Sequence, residues 1–286
     1  MTNITKQTGL EGLRLLDFPV AQTPIYLTTD SESEGHRVKE IEGHRAIVRP
    51  DTGAVLGLVS DQYKLVTHKQ SLAPHLEKLG KEGWTIGNVR LERNGARSYV
   101  ELHNKLETRA VRVGDVVGTR LLLSNSYDGS TGVVSSGGYL VLWCLNGATT
   151  TQGGLTSSLR HSGDVFQNID TQANRLWNNF DQAINLYRGL AETGVSPEIA
   201  KAIIQEVCGI RKLDVVTNYW RRGHAGDDKK SAWNLYNSIT WYLTHDFGGA
   251  VAAREAKNQE AIDLLVNPEK VRVLIEQQAR AAAATN

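Results

Sequence analysis

Residues 84–124 read WTIGNVRLERNGARSYVELHNKLETRAVRVGDVVGTRLLLS. Four β-prone runs, at 84–93, 97–103, 109–113 and 116–124, are set apart by Asn94-Gly95, Asn104-Lys105 and Gly114-Asp115. Asn-Gly and Gly-Asp are tight-turn dipeptides, because glycine and asparagine enter positive φ at little cost. Short turns of this kind join antiparallel neighbours, so the centre of the first half predicts an antiparallel sheet.

Working toward the N-terminus, residues 46–48 and 55–59 flank Asp51-Thr52-Gly53, a second hairpin signature. A helix is expected over 71–82, with Leu72, His75, Leu76 and Leu79 on one face. Residues 29–36 are polar and read as a loop, 24–29 as a short strand, and 1–23 as a flexible arm. Toward the C-terminus, 139–145 is the last strand, and after Ser162 the apolar period changes to that of helices. Asp164 can cap a helix to about residue 190, with Ile169, Ala173, Leu176, Phe180, Ile184 and Tyr187 at helical spacing. Ser196-Pro197 starts a second helix to Cys208, because proline suits the first helical turn. Residues 228–244 form an aromatic helix, and Asn267-Pro268 starts a last one that frays over 281–284. The fold class is α+β: an antiparallel sheet in the N-terminal half packed with helices from the C-terminal half. One domain is expected over 24–250, followed by a helical extension at 251–286.

Composition narrows the function classes. The 286 residues are 40% hydrophobic and 22% charged, a globular balance, with a net charge of +1. Near-neutrality means that any nucleic-acid surface must gather its positive charge on one face. Cys144 and Cys208 are the two cysteines, in no metal-ligand spacing, so a disulfide framework and a cysteine zinc site are excluded. The N-terminus lacks an apolar signal core, and no apolar run nears the roughly 20 residues that span a bilayer. A cytoplasmic protein without membrane contact is expected.

Three polar clusters stand out. Asn125-Ser126-Tyr127-Asp128-Gly129-Ser130 is a turn after an apolar strand; Cys144-Leu145-Asn146-Gly147 ends the next; Leu159-Arg160-His161-Ser162 precedes the helices. Clusters at strand ends can converge at one sheet edge and shape a groove, with Asn125, Ser126, Asp128, Gly129, Ser130, Asn146, Gly147 and His161 as its residues. Their order resembles the phage and plasmid-like family of domain of unknown function nine-three-two. Leu56-Gly57-Leu58-Val59-Ser60-Asp61-Gln62-Tyr63-Lys64 and Trp233-Asn234-Leu235-Tyr236-Asn237-Ser238-Ile239-Thr240 echo it too, so the resemblance spans roughly 45–250. The chain departs from that pattern at Tyr127, where the family often has histidine, and at Val141 and Leu142, where it has an arginine. The resemblance implies a mobile-element setting, where DNA recombination, replication and anti-defence proteins abound. At fold level, strands wrapped by helices are similar to phage single-strand annealing proteins.

Cys144, His161 and Asp128 could be imagined as nucleophile, base and orienter, yet Cys144 sits in an apolar strand where cysteine is usually a small buried hydrophobe. No histidine pair has metal-ligand spacing; His68 and His75, seven apart, lack a third ligand. Neither Ser135-Ser136-Gly137-Gly138 nor Gln152-Gly153-Gly154 matches a phosphate loop, so no cofactor and no catalytic residue is assigned. Arg109, Arg112, Arg120, Arg160, Arg175, Arg211 and Lys212 are candidates for a basic face, together with Trp220, Arg221, Arg222, Lys229 and Lys230. Trp220-Arg221-Arg222 is the sharpest of these, because stacking rings beside cations are what single strands require; the bland alternative is a core tryptophan at a solvated helix end. The sequence therefore leads to a non-enzymatic protein that binds, and in one version anneals, single-stranded DNA as a homo-oligomer. A host protein partner is the rival, and a hydrolase built on Cys144 or Asp128 the third reading.

Overall fold

The computed structural model describes residues 4–31, 35–76, 83–112, 115–141, 146–149, 156–165, 168, 171, 180–223 and 230–285. Strands fill the first half: β1 (Ile4–Thr8), β2 (Ala21–Ser31), β3 (Gly35–Arg49), β4 (Ala54–Ser60), β5 (Trp84–Glu92), β6 (Arg97–Arg112), β7 (Asp115–Ser126), β8 (Val133–Val141), β9 (Asn146–Thr149) and β10 (Thr156–Leu159). One helix, α1 (His68–Leu76), interrupts them. Helices then take over: α2 (Phe180–Glu192), α3 (Pro197–Cys208), α4 (Leu213–Arg222), α5 (Ala232–His245), α6 (Val251–Val266) and α7 (Pro268–Thr285). The fold is α+β. One sheet has the order β1-β5-β6-β7-β8-β10 with β9 on β8, and the other is the meander β2-β3-β4.

The turn chemistry worked where it was strongest. Arg93, Asn94 and Gly95 all have positive φ and link β5 to β6, and Gly53 at φ 71° turns β3 into β4. Asn104-Lys105 forms no turn: β6 runs through it as one sixteen-residue strand, with Asn104 fully buried. Neither residue is glycine, and the pleat continues unbroken. The loop expected at 29–36 is shorter than read, since β2 extends to Ser31 and β3 begins at Gly35.

The expected N-terminal arm is another departure. β1 pairs with β5 from Ile4↔Glu92 to Thr8↔Asn88, and a 3-10 turn at Leu10–Leu16 buries Gly12 and Leu16. Residues 5–8 are exposed, so backbone hydrogen bonds rather than apolar burial hold the strand. An edge strand of this kind leaves no hydrophobic period to read.

Two compact units emerge, in place of the one domain expected over 24–250. One comprises 1–102, 122–135 and 157–177; the other comprises 103–121, 136–156 and 178–286. β6, β7 and β8 each contribute residues to both. In the first unit Ile47, Leu56, Val59, Ala96 and Tyr127 form a core, with Val66, Val133 and Val165 as a smaller cluster. Phe18, from the supposed arm, packs edge-on against His68 and Tyr127, and the Arg49 guanidinium lies 4.1 Å from its ring centroid.

In the second unit α5 is buried almost all round, from Ala232 to Leu243 apart from a half-exposed Trp241. Ser196 caps α3, accepting from the Ile199 N–H with Pro197 in the first turn, as its sequence requires. Ser231 caps α5, so that helix starts later than residue 228. Residues 251–286 are no appended extension: Val251, Ala261, Ile262, Val271 and Leu274 are core residues of this unit.

Candidate functional site

Three segments quoted from the sequence meet in the first unit: the stretch after β4, the β7–β8 turn and the end of β10. Gly57 in β4 makes the first junction possible. A Cβ there would lie 2.3 Å from the Tyr127 carbonyl oxygen and 2.6 Å from the Asp128 Cα, so only glycine lets these backbones touch. Gly132 makes the second, since its Cβ would lie 2.0 Å from the Leu159 carbonyl oxygen.

Beneath the surface, polar side chains satisfy one another. The Asn125 amide donates to the Val66 carbonyl at 2.9 Å and to His68 Nδ1 at 3.0 Å. His68 Nδ1 is therefore the bare nitrogen, and Nε2–H donates to the Gly95 carbonyl at 2.9 Å. The Tyr127 hydroxyl accepts from the His68 backbone N–H at 2.8 Å, and the two rings stack at 4.0 Å. Burial drives the His68 imidazole down to about 3, so it stays neutral. Burial likewise lowers His75 to about 4; its Nε2 lies 3.3 Å from Ser135 Oγ. Thr67 and Gln70 bond reciprocally at the start of α1, a capping box that fixes where His68 enters the helix.

Nearer the surface, the Lys64 N–H donates to the His161 carbonyl at 2.6 Å, and His161 Nδ1 lies 3.1 Å from the Lys64 carbonyl. A carbonyl only accepts, so Nδ1 carries the proton and Nε2 is bare. The His161 ring stacks on Tyr63 at 4.6 Å with an 8° tilt, and burial lowers its pKa. The Tyr63 hydroxyl donates to the Ser126 carbonyl at 2.8 Å. Ser126 Oγ donates to the Thr131 carbonyl and accepts from its N–H, closing the turn around Gly129 at φ 70°. Asp128 takes Arg97 at 2.8 Å, Arg93 at 3.3 Å and the Ser130 N–H at 3.0 Å. Burial alone would raise its carboxyl, but the bonds from Ser130 and Arg97 outweigh that and hold it below the usual carboxylate range.

Above this frame lies an open cavity of about 600 Å³. Ser60, Gln62 and Tyr63 line it from one segment, Gly129 to Gly132 from the second, and Ser158, Arg160, His161 and Ser162 from the third. Arg160 is exposed, and its side chain has no ion pair among the described residues. Hydroxyls, an amide and one uncommitted guanidinium suit an anionic, hydrogen-bonding ligand. Among the described residues no serine, threonine or cysteine bonds to His161, whose Nε2 has no hydrogen-bond partner among them. No trio of histidine, cysteine, aspartate or glutamate is placed to hold a metal ion among the described residues.

The expected groove residues thus separate. Gly129, Ser130 and His161 line the cavity; Asn125, Ser126 and Asp128 build its frame. Asn146 and Gly147 are not in its lining: they pair with Val141 and Leu140 in the second unit. Cys144 lies outside the described residues. Gln62, Thr131 and Gly132 were missed as cavity residues, although Gln62 sits within the quoted Leu56–Lys64 stretch.

Among the basic candidates, Arg221 and Arg222 are exposed at the end of α4. Trp220 is 2% exposed, so its ring offers no stacking surface. Lys230 is engaged, donating to the Arg221 carbonyl at 2.8 Å and lying over the Trp220 ring. Lys229 lies outside the described residues. Arg120 is buried and paired with Glu255, which removes it from any basic face. The half-exposed ring near Arg222 belongs instead to Tyr219, whose hydroxyl donates to Asp246 at 3.2 Å and whose centroid stands 4.3 Å from that of Trp241, with His245 at 5.0 Å from Trp241.

Fold and site define an α+β protein with antiparallel strand pairs in which three of the motif segments meet at a polar cavity. The chain belongs to the family described as domain of unknown function (DUF932), whose model matches residues 55–266, from β4 to the end of α6. No curated protein and no solved structure matches it. Among the described residues no helix is long and apolar enough to cross a membrane.

Proposed function

We propose that this chain is a cytoplasmic phage- or plasmid-type protein that binds single-stranded DNA as an oligomer and without a cofactor. The observation that carries the reading is the cluster at the end of α4. There the half-exposed Tyr219 ring, packed on Trp241, lies one helical turn before the exposed Arg222, with Arg221 beside it in sequence. Stacking rings beside guanidinium groups are the two elements of sequence-tolerant single-strand binding. The cavity with its unpaired Arg160 supplies a second place for a phosphodiester.

Fluorescence anisotropy with a labelled oligonucleotide at several salt concentrations tests this. Each phosphate neutralised contributes about −0.7 to the slope of log K against log salt. Arg221→Ala with Arg222→Ala should flatten the slope by about two such increments and weaken all sequences alike. Trp241→Ala should weaken binding and leave the slope unchanged, because a ring neutralises nothing. Arg160→Ala reports separately on the cavity. Absence of binding at low salt would end the reading.

A protein partner is favoured by one other observation. An apolar hollow of about 490 Å³ in the second unit is lined by Val195, Ile199, Ile203, Leu264, Leu265 and Val271, among others. Retained affinity for a host protein with no affinity for DNA would move the assignment there.

A further inference from the structure

β2 and β3 extend far beyond the body that anchors them. β4 pairs with β3 only from His44 to Arg49, so residues 35–43 of β3 have β2 as their sole neighbour among the described strands. The cross-strand pairs Tyr26↔Glu40 and Thr28↔Val38 share one face, and Leu27↔Lys39 the other. All six side chains are exposed, with Tyr26 at 56%, Leu27 at 51% and Val38 at 63%. Over 26–28 and 38–40, therefore, neither face of this two-stranded ribbon is covered by a core. Such ribbons are marginal in water unless something adds to them.

The distribution of charge identifies what adds. β2 is the outer strand, yet of its eleven residues, AQTPIYLTTDS, only Asp30 is charged. Exposed edges are normally blocked by lysines, prolines or bulges. Here Pro24 and the bulge beside it lie at the base and leave residues 26–31 open. β3, the inner strand, carries His36, Arg37, Lys39, Glu40, Glu42, His44 and Arg45. The composition is inverted: β2 reads as a central strand and β3 as an edge. We infer that β2 is the edge at which two copies of this chain join, antiparallel and about a two-fold axis, in a β3-β2-β2-β3 sheet.

That arrangement puts the neutral strands inside and the charged ones outside. A two-fold centred on Leu27 opposes Tyr26 of one copy to Thr28 of the next, a favourable aromatic–β-branched pair, and Ile25 to Thr29, so the shared ladder stops where Pro24 stands. Nucleic acid is the wrong occupant. Residues 24–45 hold five acidic residues (Asp30, Glu32, Glu34, Glu40, Glu42) and three basic ones (Arg37, Lys39, Arg45), a formal −2. The ribbon precedes the family match at 55–266, and the inference rests on it alone, apart from the DNA reading.

Sedimentation velocity across a wide concentration range tests the pairing. The wild-type chain should sediment as a dimer or a multiple of one. Tyr26→Lys with Thr28→Lys opposes like charges twice and should raise the dissociation constant about tenfold or more. Tyr26→Lys with Thr28→Glu opposes lysine to glutamate twice and should retain the dimer. Both pairs of substitutions fall on exposed side chains, so circular dichroism should match wild type. A monomeric wild-type chain overturns the proposal, as does a Lys/Lys variant with wild-type mass. Equal dissociation of the Lys/Lys and Lys/Glu variants overturns it too.

Discussion

Acidification from pH 7 to pH 5 should cost this protein much of its stability, through two imidazoles far from any surface. His68 and His75 are 0% and 1% exposed, with folded pKa values of about 3 and about 4 against an ordinary 6.5. Below pH 6.5 the unfolded chain binds protons that the folded chain refuses, so stability falls as pH falls. The loss begins near 6.5 and continues until each folded ring titrates near 3 or 4. From pH 7 to pH 5 each ring contributes about 2 kcal/mol, and the two together about 4 kcal/mol. That is a large share of the roughly 5–15 kcal/mol that holds a domain folded. His161, also lowered by burial, acts in the same direction. Asp128 adds a further loss only at lower pH, because its depressed carboxylate stabilises the fold until it is protonated.

Urea unfolding followed by circular dichroism at half-unit pH steps measures the effect. The slope near pH 5 should approach two protons taken up per molecule unfolded. His75→Gln should remove about one of them, whatever it does to stability at pH 7. A midpoint unchanged between pH 7 and pH 5, or an identical slope in the variant, would refute the buried neutral assignment.

Two further substitutions test the frame. Gly57→Ala should lower the melting temperature sharply, by overpacking worth about 1–3 kcal/mol, because its Cβ meets rigid backbone at Tyr127 and Asp128. Tyr127→Phe leaves the buried His68 N–H without its acceptor and should cost about 1–3 kcal/mol by denaturant unfolding, with the ring stacking kept.

Legibility in the sequence followed the strength of local signals. Asn94-Gly95 and Ser196-Pro197 act within a few residues, and both did what their chemistry requires. Asn104-Lys105 looked like a turn, but a buried Asn104 in a continuous strand depends on partners distant in sequence. β1 escaped detection because its residues 5–8 are exposed. Trp220 and Tyr219 are adjacent letters in an Arg-rich segment, and helix phase alone turns one ring inward and the other outward. Gly57 and Gly132 carried no recognisable signal, since each is demanded by a backbone more than twenty-five residues away.

The polar motifs of this chain serve two different ends, and the hydrogen bonds tell them apart. Asn125, Ser126 and Asp128 point polar atoms at backbone, at His68 or at arginines of the same unit, so they hold turns and strands in register. A buried group bonded in this way is costly to remove. Gln62, Thr131 and Arg160 line the cavity with side chains that no described residue engages. A polar motif in sequence is therefore a mixture of frame and surface. Asp128 precedes Gly129, whose φ of 70° turns the chain. Loss of a frame residue should appear first as loss of folding and only secondarily as loss of binding. Loss of Arg160 should leave the fold intact, because no described residue of its unit bonds its guanidinium, and so isolates what the cavity itself does.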